Sequence, residues 1–209
     1  MIAHSPTRLT PLHHTHLSMG AVMGDVDGWQ LPLSYGDPDR ETTAIQESVG
    51  ICDITGSQIQ RVKSRQPENV PPVGTVVENG GLTMARLTDD ETLIIGSAEL
   101  SSDLRVIDIT SGYARFKIAG PESGKLLSAM TDIDLRDRSM PNLTCAQAGF
   151  AGVHGTLLRI DIGSTPAYEL LVSREFADYA WHTAIESLPA GTVVPIGFEV
   201  LNAVPGSSE

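Results

Sequence analysis

No apolar run in this chain approaches the ~20 residues that a membrane-crossing helix requires, and the opening Met1-Ile2-Ala3-His4-Ser5-Pro6 has neither the basic start nor the apolar core of a secretion signal. The expectation is a soluble, cytoplasmic protein with no membrane partner. Cysteine is nearly absent: Cys52 and Cys145 are too few for a disulfide framework, so buried, reduced thiols are expected. Basic residues are scarce. The 14 Lys and Arg against 26 Asp and Glu leave a formal charge of −12, which argues against nucleic acid as a partner because a phosphate backbone needs a cationic surface. Small anions remain open, since one arginine can hold them inside an acidic protein. Also missing are a phosphate-cradling glycine loop with its lysine, a Cys-x-x-Cys pair and a His-x-x-x-His pair with a carboxylate. No catalytic constellation emerges from spacing alone.

With 41% hydrophobic residues over 209 positions, the chain can fill a real core. Residues 1–204 are expected to form one domain, with 205–209 as a mobile tail. Its centre is the stretch Arg105 to Met130. Val106, Ile107 and Ile109 suggest a short strand, Ser111-Gly112 a turn, and Ala114, Phe116 and Ile118 alternate with Tyr113, Arg115 and Lys117 as in a half-buried strand. Gly120-Pro121 stops that strand and opens a helix carrying Leu126, Leu127 and Met130 inward. The phrase Asp53-Ile54-Thr55 recurs as Asp108-Ile109-Thr110, which predicts an internal repeat of residues 51–63 and 106–118.

Elsewhere, Leu12, His16, Met19 and Met23 have helical spacing, and the histidines around them suit a solvated helix start better than a metal site. Asp37-Pro38 opens a helix that Gly50 ends. Residues 65–74 are a Pro-rich loop, and 97–103 a polar connection. Leu82 to Leu87 and Glu91 to Gly96 form a hairpin, and later strands run over Leu143 to Val153, Leu157 to Ile162, Tyr168 to Val172 and Val193 to Ile196. Ser173 caps an amphipathic helix to Leu188 that should bury Phe176 and Ala180. Asp53 and Asp108 are expected to cap turns, although either has the chemistry of an acid or base. Glu169 stands on an otherwise apolar strand, so it faces either solvent or a cleft where it accepts a ligand's N–H groups.

Thr10-Pro11-Leu12, His16, Gly20-Ala21, Met23, Asp25, Gly28-Trp29, Pro32-Leu33, Tyr35, Glu41, Gly50 and Asp53-Ile54-Thr55 resemble the opening of the glycine cleavage T-protein, an aminomethyltransferase. From Gly74 onward, Leu87 with Asp90-Glu91 and Leu93, Asp108-Ile109, Gly120-Pro121, Leu126-Leu127, Asp134-Leu135, Cys145-Ala146-Gln147, Tyr168-Glu169-Leu170 with Val172, Phe176-Ala177-Asp178-Tyr179 and Trp181 are more similar to the gamma subunit of heterotetrameric sarcosine oxidase. Chain length agrees with that subunit, and the chain stops where the transferase would begin its C-terminal domain.

The resemblance implies an α+β, folate-binding, aminomethyltransferase-like domain built from ferredoxin-like β/α repeats. It implies tetrahydrofolate as cofactor, Glu169 and Tyr168 as its binding residues, and no metal. The family's Gly-Gly is followed after two residues by a catalytic aspartate, whereas Gly80-Gly81-Leu82-Thr83 leads here to Met84-Ala85. Ser57 stands in place of a methionine, Ser164-Thr165-Pro166 replaces a Gly-Glu-Ala run, and Ile196 to Val200 lacks the late arginine. These departures imply no catalytic residue. The function implied is a gamma-like, non-catalytic subunit of a sarcosine oxidase or related N-methyl-amine oxidase or dehydrogenase, partnered by the other subunits. The alternatives are a freestanding tetrahydrofolate-binding protein and a true aminomethyltransferase, with Asp108 as the best carboxylate for the latter.

Overall fold

The computed structural model describes residues 8–64, 71–97 and 105–206. Most of the expected Pro-rich loop (65–70), of the polar connection (98–103) and of the tail (207–209), and the opening residues 1–7, lie outside the described residues. In chain order the elements are β1 (Arg8–Leu9), α1 (His13–Ser18), β2 (Val22–Val26), β3 (Trp29–Ser34), α2 (Pro38–Glu47), β4 (Val49–Asp53), β5 (Ile59–Lys63), β6 (Val76–Asn79), β7 (Leu82–Arg86), β8 (Glu91–Ile95), β9 (Arg105–Asp108), β10 (Tyr113–Ala119), α3 (Ser123–Ser128), β11 (Thr144–Phe150), β12 (Val153–Arg159), β13 (Ala167–Ser173), α4 (Ala177–Glu186), β14 (Val193–Pro195) and α5 (Phe198–Ala203). The class is α+β, as the resemblance implies. No described helix is long and apolar enough to cross a membrane.

Strand β10 is central to a six-stranded sheet of order β11-β12-β13-β10-β4-β14. Its alternation does not mark a half-buried strand: Ala114 to Ala119 are all buried, so both faces are covered. The even face, with Phe116 and Ile118, joins Leu170 and Val172 of β13 and packs on α3 through Leu126 and Leu127 and on α4 through Trp181. The odd face carries Arg115 and Lys117. It is flanked at one end by a cluster of Ile45, Ala119, Ile196 and Leu201, which brings in α2 and α5. At the other end Leu171 and Ile160 meet Ile59, Leu93 and Ile95 of the five-stranded sheet β6-β7-β8-β5-β9. A third sheet has the order β1-β3-β2, and its β3 packs against α5 and β4.

The two Asp-Ile-Thr segments occupy matching places where the chain crosses between the sheets. Strand β4 lies in the six-stranded sheet and β5 in the five-stranded one, while β9 and β10 run the other way, so β4 pairs with β10 and β5 with β9. Asp53 Oδ1 accepts from the Thr55 amide and Asp108 Oδ1 from the Thr110 amide, each at 2.9 Å. Thr55 Oγ1 then accepts from the Arg115 amide at 3.0 Å, and Thr110 Oγ1 from the Ile59 amide at 2.9 Å. The turn-capping roles expected of both aspartates are thus present.

Helix α2 begins as Asp37-Pro38 dictates, with Asp37 Oδ1 accepting from the Arg40 amide at 3.1 Å. Glu41, in the first turn of α2, is buried and accepts from Ser34 Oγ, the Tyr35 amide and, at 2.7 Å, the Gly197 amide. That last bond seats the start of α5. A Cβ at Gly197 would collide with the Leu33 carbonyl, so glycine is required for the approach.

Other expectations change as well. Helix α1 ends at Ser18 with Met19 as its C-cap, and Met23, expected on the same helix, instead lies in β2. His16 is not solvated but fully buried. After Ser173, which makes no side-chain cap, the chain takes a 3-10 turn over Arg174–Phe176 before α4 begins. That turn rotates Phe176 off the inward stripe and leaves it 43% exposed, while Ala180 is buried as expected. The last helix, α5, was not anticipated.

Candidate functional site: a cleft holding Arg115, Lys117 and Glu169

Where the odd face of β10 and β13 lies between the two apolar clusters, a cleft of about 700 Å³ opens. Its floor is Arg115, Lys117 and Glu169, and Ile54, Ile160, Ile162 and Leu201 supply apolar wall. The tip of the β6–β7 hairpin, Gly80-Gly81, closes one side. Both glycines have positive φ, 57° and 78°, as a two-residue hairpin turn demands.

Residues Lys117 and Glu169 are direct cross-strand partners in the β10–β13 pairing. Lys117 Nζ lies 3.5 Å from Glu169 Oε1 and donates to the Ile160 carbonyl at 3.0 Å. Arg115 Nε lies 3.7 Å from Glu169 Oε2, and Arg115 Nη2 meets Ser57 Oγ at 3.1 Å. All three side chains are nearly out of solvent: Arg115 and Lys117 are 8% and 7% exposed, and the Glu169 side chain 13%. Burial alone would raise the Glu169 carboxyl pKa, but Arg115, Lys117 and the Lys117 hydrogen bond outweigh it and hold the carboxyl below its ordinary range. The carboxylate is therefore ionised at neutral pH. Arg115 Nε and Nη1 have no hydrogen-bond acceptor.

Of the two residues expected to bind folate, only Glu169 reaches the cleft. Tyr168, its neighbour on a strand, points to the opposite face, where it is buried in the helix-covered core with the Arg159 guanidinium 5.6 Å from its ring centre. Burial raises its hydroxyl pKa. On the hairpin, Leu82 and Thr83 line the cleft and Met84 and Ala85 do not. Asp108 is exposed at the end of β9 and does not line the cleft.

The sequence reading missed Asp161, which lines the cleft. It is tied down by Arg159, at 3.1 Å from Nε and 3.2 Å from Nη2, and by the Ala167 amide at 3.1 Å. It also read Arg115 and Lys117 as a solvent face. The signal was available: two cations two apart on one strand, and a lone carboxylate on a later strand of matching parity.

A second polar cluster is buried elsewhere. Asp53 Oδ2 accepts from Thr10 Oγ1 and lies 3.0 Å from His16 Nε2, while Tyr35 Oη lies 2.7 Å from His16 Nδ1. Burial first, then the nearby Cys52, Asp53 and Glu41, push the Tyr35 hydroxyl pKa far up. Tyr35 therefore keeps its hydroxyl proton, and with that hydroxyl donating to Nδ1 the imidazole donates from Nε2 to Asp53. Every polar atom in this chain of bonds has its complement, which is how structural networks look. Among the described residues no group of three or more His, Cys, Asp or Glu is placed to hold a metal. Cys52 and Cys145 are free and buried, and burial pushes the Cys145 thiol up to about 11.

The family described as the GCVT N-terminal domain matches residues 79–204. The aminomethyltransferase of Streptomyces coelicolor is 27% identical over 91% of this chain and 60% of its own length. The sarcosine oxidase alpha subunit of Rhizobium meliloti is 23% identical over 95% of this chain and 25% of its own length. Among solved structures, the glycine cleavage system aminomethyltransferase T of Bartonella henselae matches with a TM-score of 0.72 at 15% identity, covering 92% of this chain and 60% of that one. A chain of the heterotetrameric sarcosine oxidase of Corynebacterium sp. U-96, in complex with pyrrole 2-carboxylate, matches at 0.64 and 14% identity, covering 85% and 93%. This chain thus spans about three fifths of the aminomethyltransferases it matches. The structural likenesses show the fold.

Proposed function

The chain belongs to the GCVT N-terminal domain family, and on that footing we propose that it is a gamma-like subunit, without catalysis of its own, of a sarcosine oxidase or related N-methyl-amine oxidase or dehydrogenase in tetrahydrofolate-linked metabolism. Its partners are the other subunits of that cytoplasmic complex. The sarcosine oxidase subunit among its relatives supports the association.

The observation that carries this reading is the state of Glu169. A general base or acid works best with a pKa near the working pH, whereas this carboxylate is held ionised by two cations. The other carboxylate of the cleft floor, Asp161, is committed to Arg159 and a backbone amide. Tetrahydrofolate, when bound, supplies the nitrogen that takes up a one-carbon unit. The residues fit such a group: the cleft has the volume and apolar walls of a small-molecule site, and the single long Lys117 bond leaves Glu169 lone pairs for pterin N–H donors.

The aminomethyltransferase relatives support a second reading, in which the chain carries out the transfer itself. A freestanding folate-binding protein is a third. Purification of the tagged full chain from its own cells, followed by native mass spectrometry, separates them. A stable hetero-oligomer with redox partner chains supports the subunit reading. A lone chain that binds 5-formyltetrahydrofolate supports the third, and turnover with tetrahydrofolate and an aminomethylated lipoyl carrier supports the second.

A further inference from the structure

We infer that the cleft contains a carboxylate-binding subsite, built by Arg115 with Lys117 and Ser57, for an organic monocarboxylate with an apolar body. The inference rests on the reading of this cleft as a ligand site, and it adds the charge and class of the group bound at its floor.

The first argument is charge. Arg115 and Lys117 carry two positive charges and Glu169 one negative, so the buried trio has a surplus of one positive charge. The remaining cleft acids do not cancel it. Asp161 shares Arg159 with the largely solvated Asp137, and Glu78 stands exposed at the hairpin tip, so water screens the excess acid charge. A buried charge without a counterion is costly. A single anion from outside removes that cost, whereas a dianion would leave the trio with a negative surplus.

The second argument is hydrogen bonding. Arg115 is more than nine-tenths buried, lines the cleft, and has no hydrogen-bond acceptor for Nε or Nη1. Nε already faces Glu169 Oε2 at 3.7 Å; buried polar groups are normally satisfied, so Nη1 marks where a further acceptor belongs. Lys117 donates to Ile160 and Glu169, which uses two of its three N–H groups. A planar carboxylate, with two oxygens and acceptor-only chemistry, complements a guanidinium fork better than a spherical ion does. The aliphatic walls from Ile54, Ile160, Ile162 and Leu201 then select an anion with an apolar body.

The test uses benzoate against benzamide, which share shape and differ in charge, titrated calorimetrically into the full chain at matched ionic strength. Benzoate should bind at least about tenfold more tightly than benzamide, in line with the strength of charge-assisted bonds, and should shift the Arg115 Nε–H resonance. Arg115→Met should remove that preference, and the milder Ser57→Ala should weaken benzoate by a few fold. Should Arg115→Met fail to fold, the wild-type preference and the resonance shift decide the matter. Equal affinities for the two probes, or no benzoate binding, would overturn the subsite. Titration of 5-formyltetrahydrofolate keeps the two readings apart. Benzoate binding without folate binding retains the subsite and removes the folate reading, and the reverse removes the subsite alone.

Discussion

Lys117 and Glu169 stand directly opposite each other on β10 and β13, with Nζ 3.5 Å from Oε1, on a face that another sheet and a helix cover. On an exposed sheet such a cross-strand pair contributes little. Here Arg115 joins it from two residues away, and all three charges are nearly shielded from water.

Replacing Glu169 by Gln should therefore destabilise the protein by about 3 to 5 kcal/mol at pH 7, because it leaves two buried cations without their counter-charge. The pH dependence has a definite sign. The folded-state pKa of Glu169 is lowered, so its contribution is present above the unfolded value, near about 4.3, and is lost as pH falls through the lower folded value. Urea unfolding from pH 7 to pH 3 should show a flatter acid limb in Glu169→Gln than in wild type. Parallel curves would mean that the carboxylate is not held by its neighbours.

At the second buried cluster, His16→Ala should cost about 3 to 5 kcal/mol, since Asp53 would lose a donor while fully buried. Tyr35→Phe should cost less, about 1 to 3 kcal/mol, by leaving His16 Nδ1 without its donor. Equal losses in thermal or urea unfolding would contradict the order of bonds assigned here.

The exposed Phe176 and the buried Trp181 make a paired test of the α4 entry. Trp181→Ala should cost about 3 to 5 kcal/mol as a core truncation, and Phe176→Ala about 1 kcal/mol or less as a surface change. A large loss at Phe176 in the isolated chain would restore the continuous helical stripe that its spacing suggests.

Thr55→Val and Thr110→Val should each cost about 1 to 3 kcal/mol, because each strips the acceptor from one buried amide, that of Arg115 or of Ile59. The equivalent geometry requires similar losses from both. A much larger effect from one would show that the two turns are not equivalent in energy.

Local chemistry made several elements legible in the sequence. Asp37-Pro38 opens α2, Gly120-Pro121 separates β10 from α3, and 88–90 turns the β7–β8 hairpin. What local pattern does not carry is the identity of the neighbour. The alternation of Arg115 and Lys117 with Ala114, Phe116 and Ile118 reports two unlike faces, but whether the polar one meets water depends on β5 and β8, which precede it by tens of residues. The same holds for His16, whose burial is decided by Asp53. Glu169 stood out because it broke an apolar strand. Asp161 did not, since inside the expected strand Leu157 to Ile162 it alternates with Ile160 and Ile162 as a solvent-facing residue does. Phe176 was misplaced by phase: a 3-10 turn advances about 120° per residue, so the inward stripe of α4 starts later.

The paired crossings of β4 into β5 and of β9 into β10 bear on how the protein is made. During synthesis β4 emerges long before β10, so the backbone edge of Ile51 and Cys52 waits without its antiparallel neighbour until residues 113–119 leave the ribosome. When they arrive, β9 adds to β5 in one sheet and β10 to β4 in the other, so one continuous segment joins both sheets. The Arg115 and Ile59 amides should then exchange their hydrogens with solvent only through global unfolding, at one common rate although they lie in different sheets.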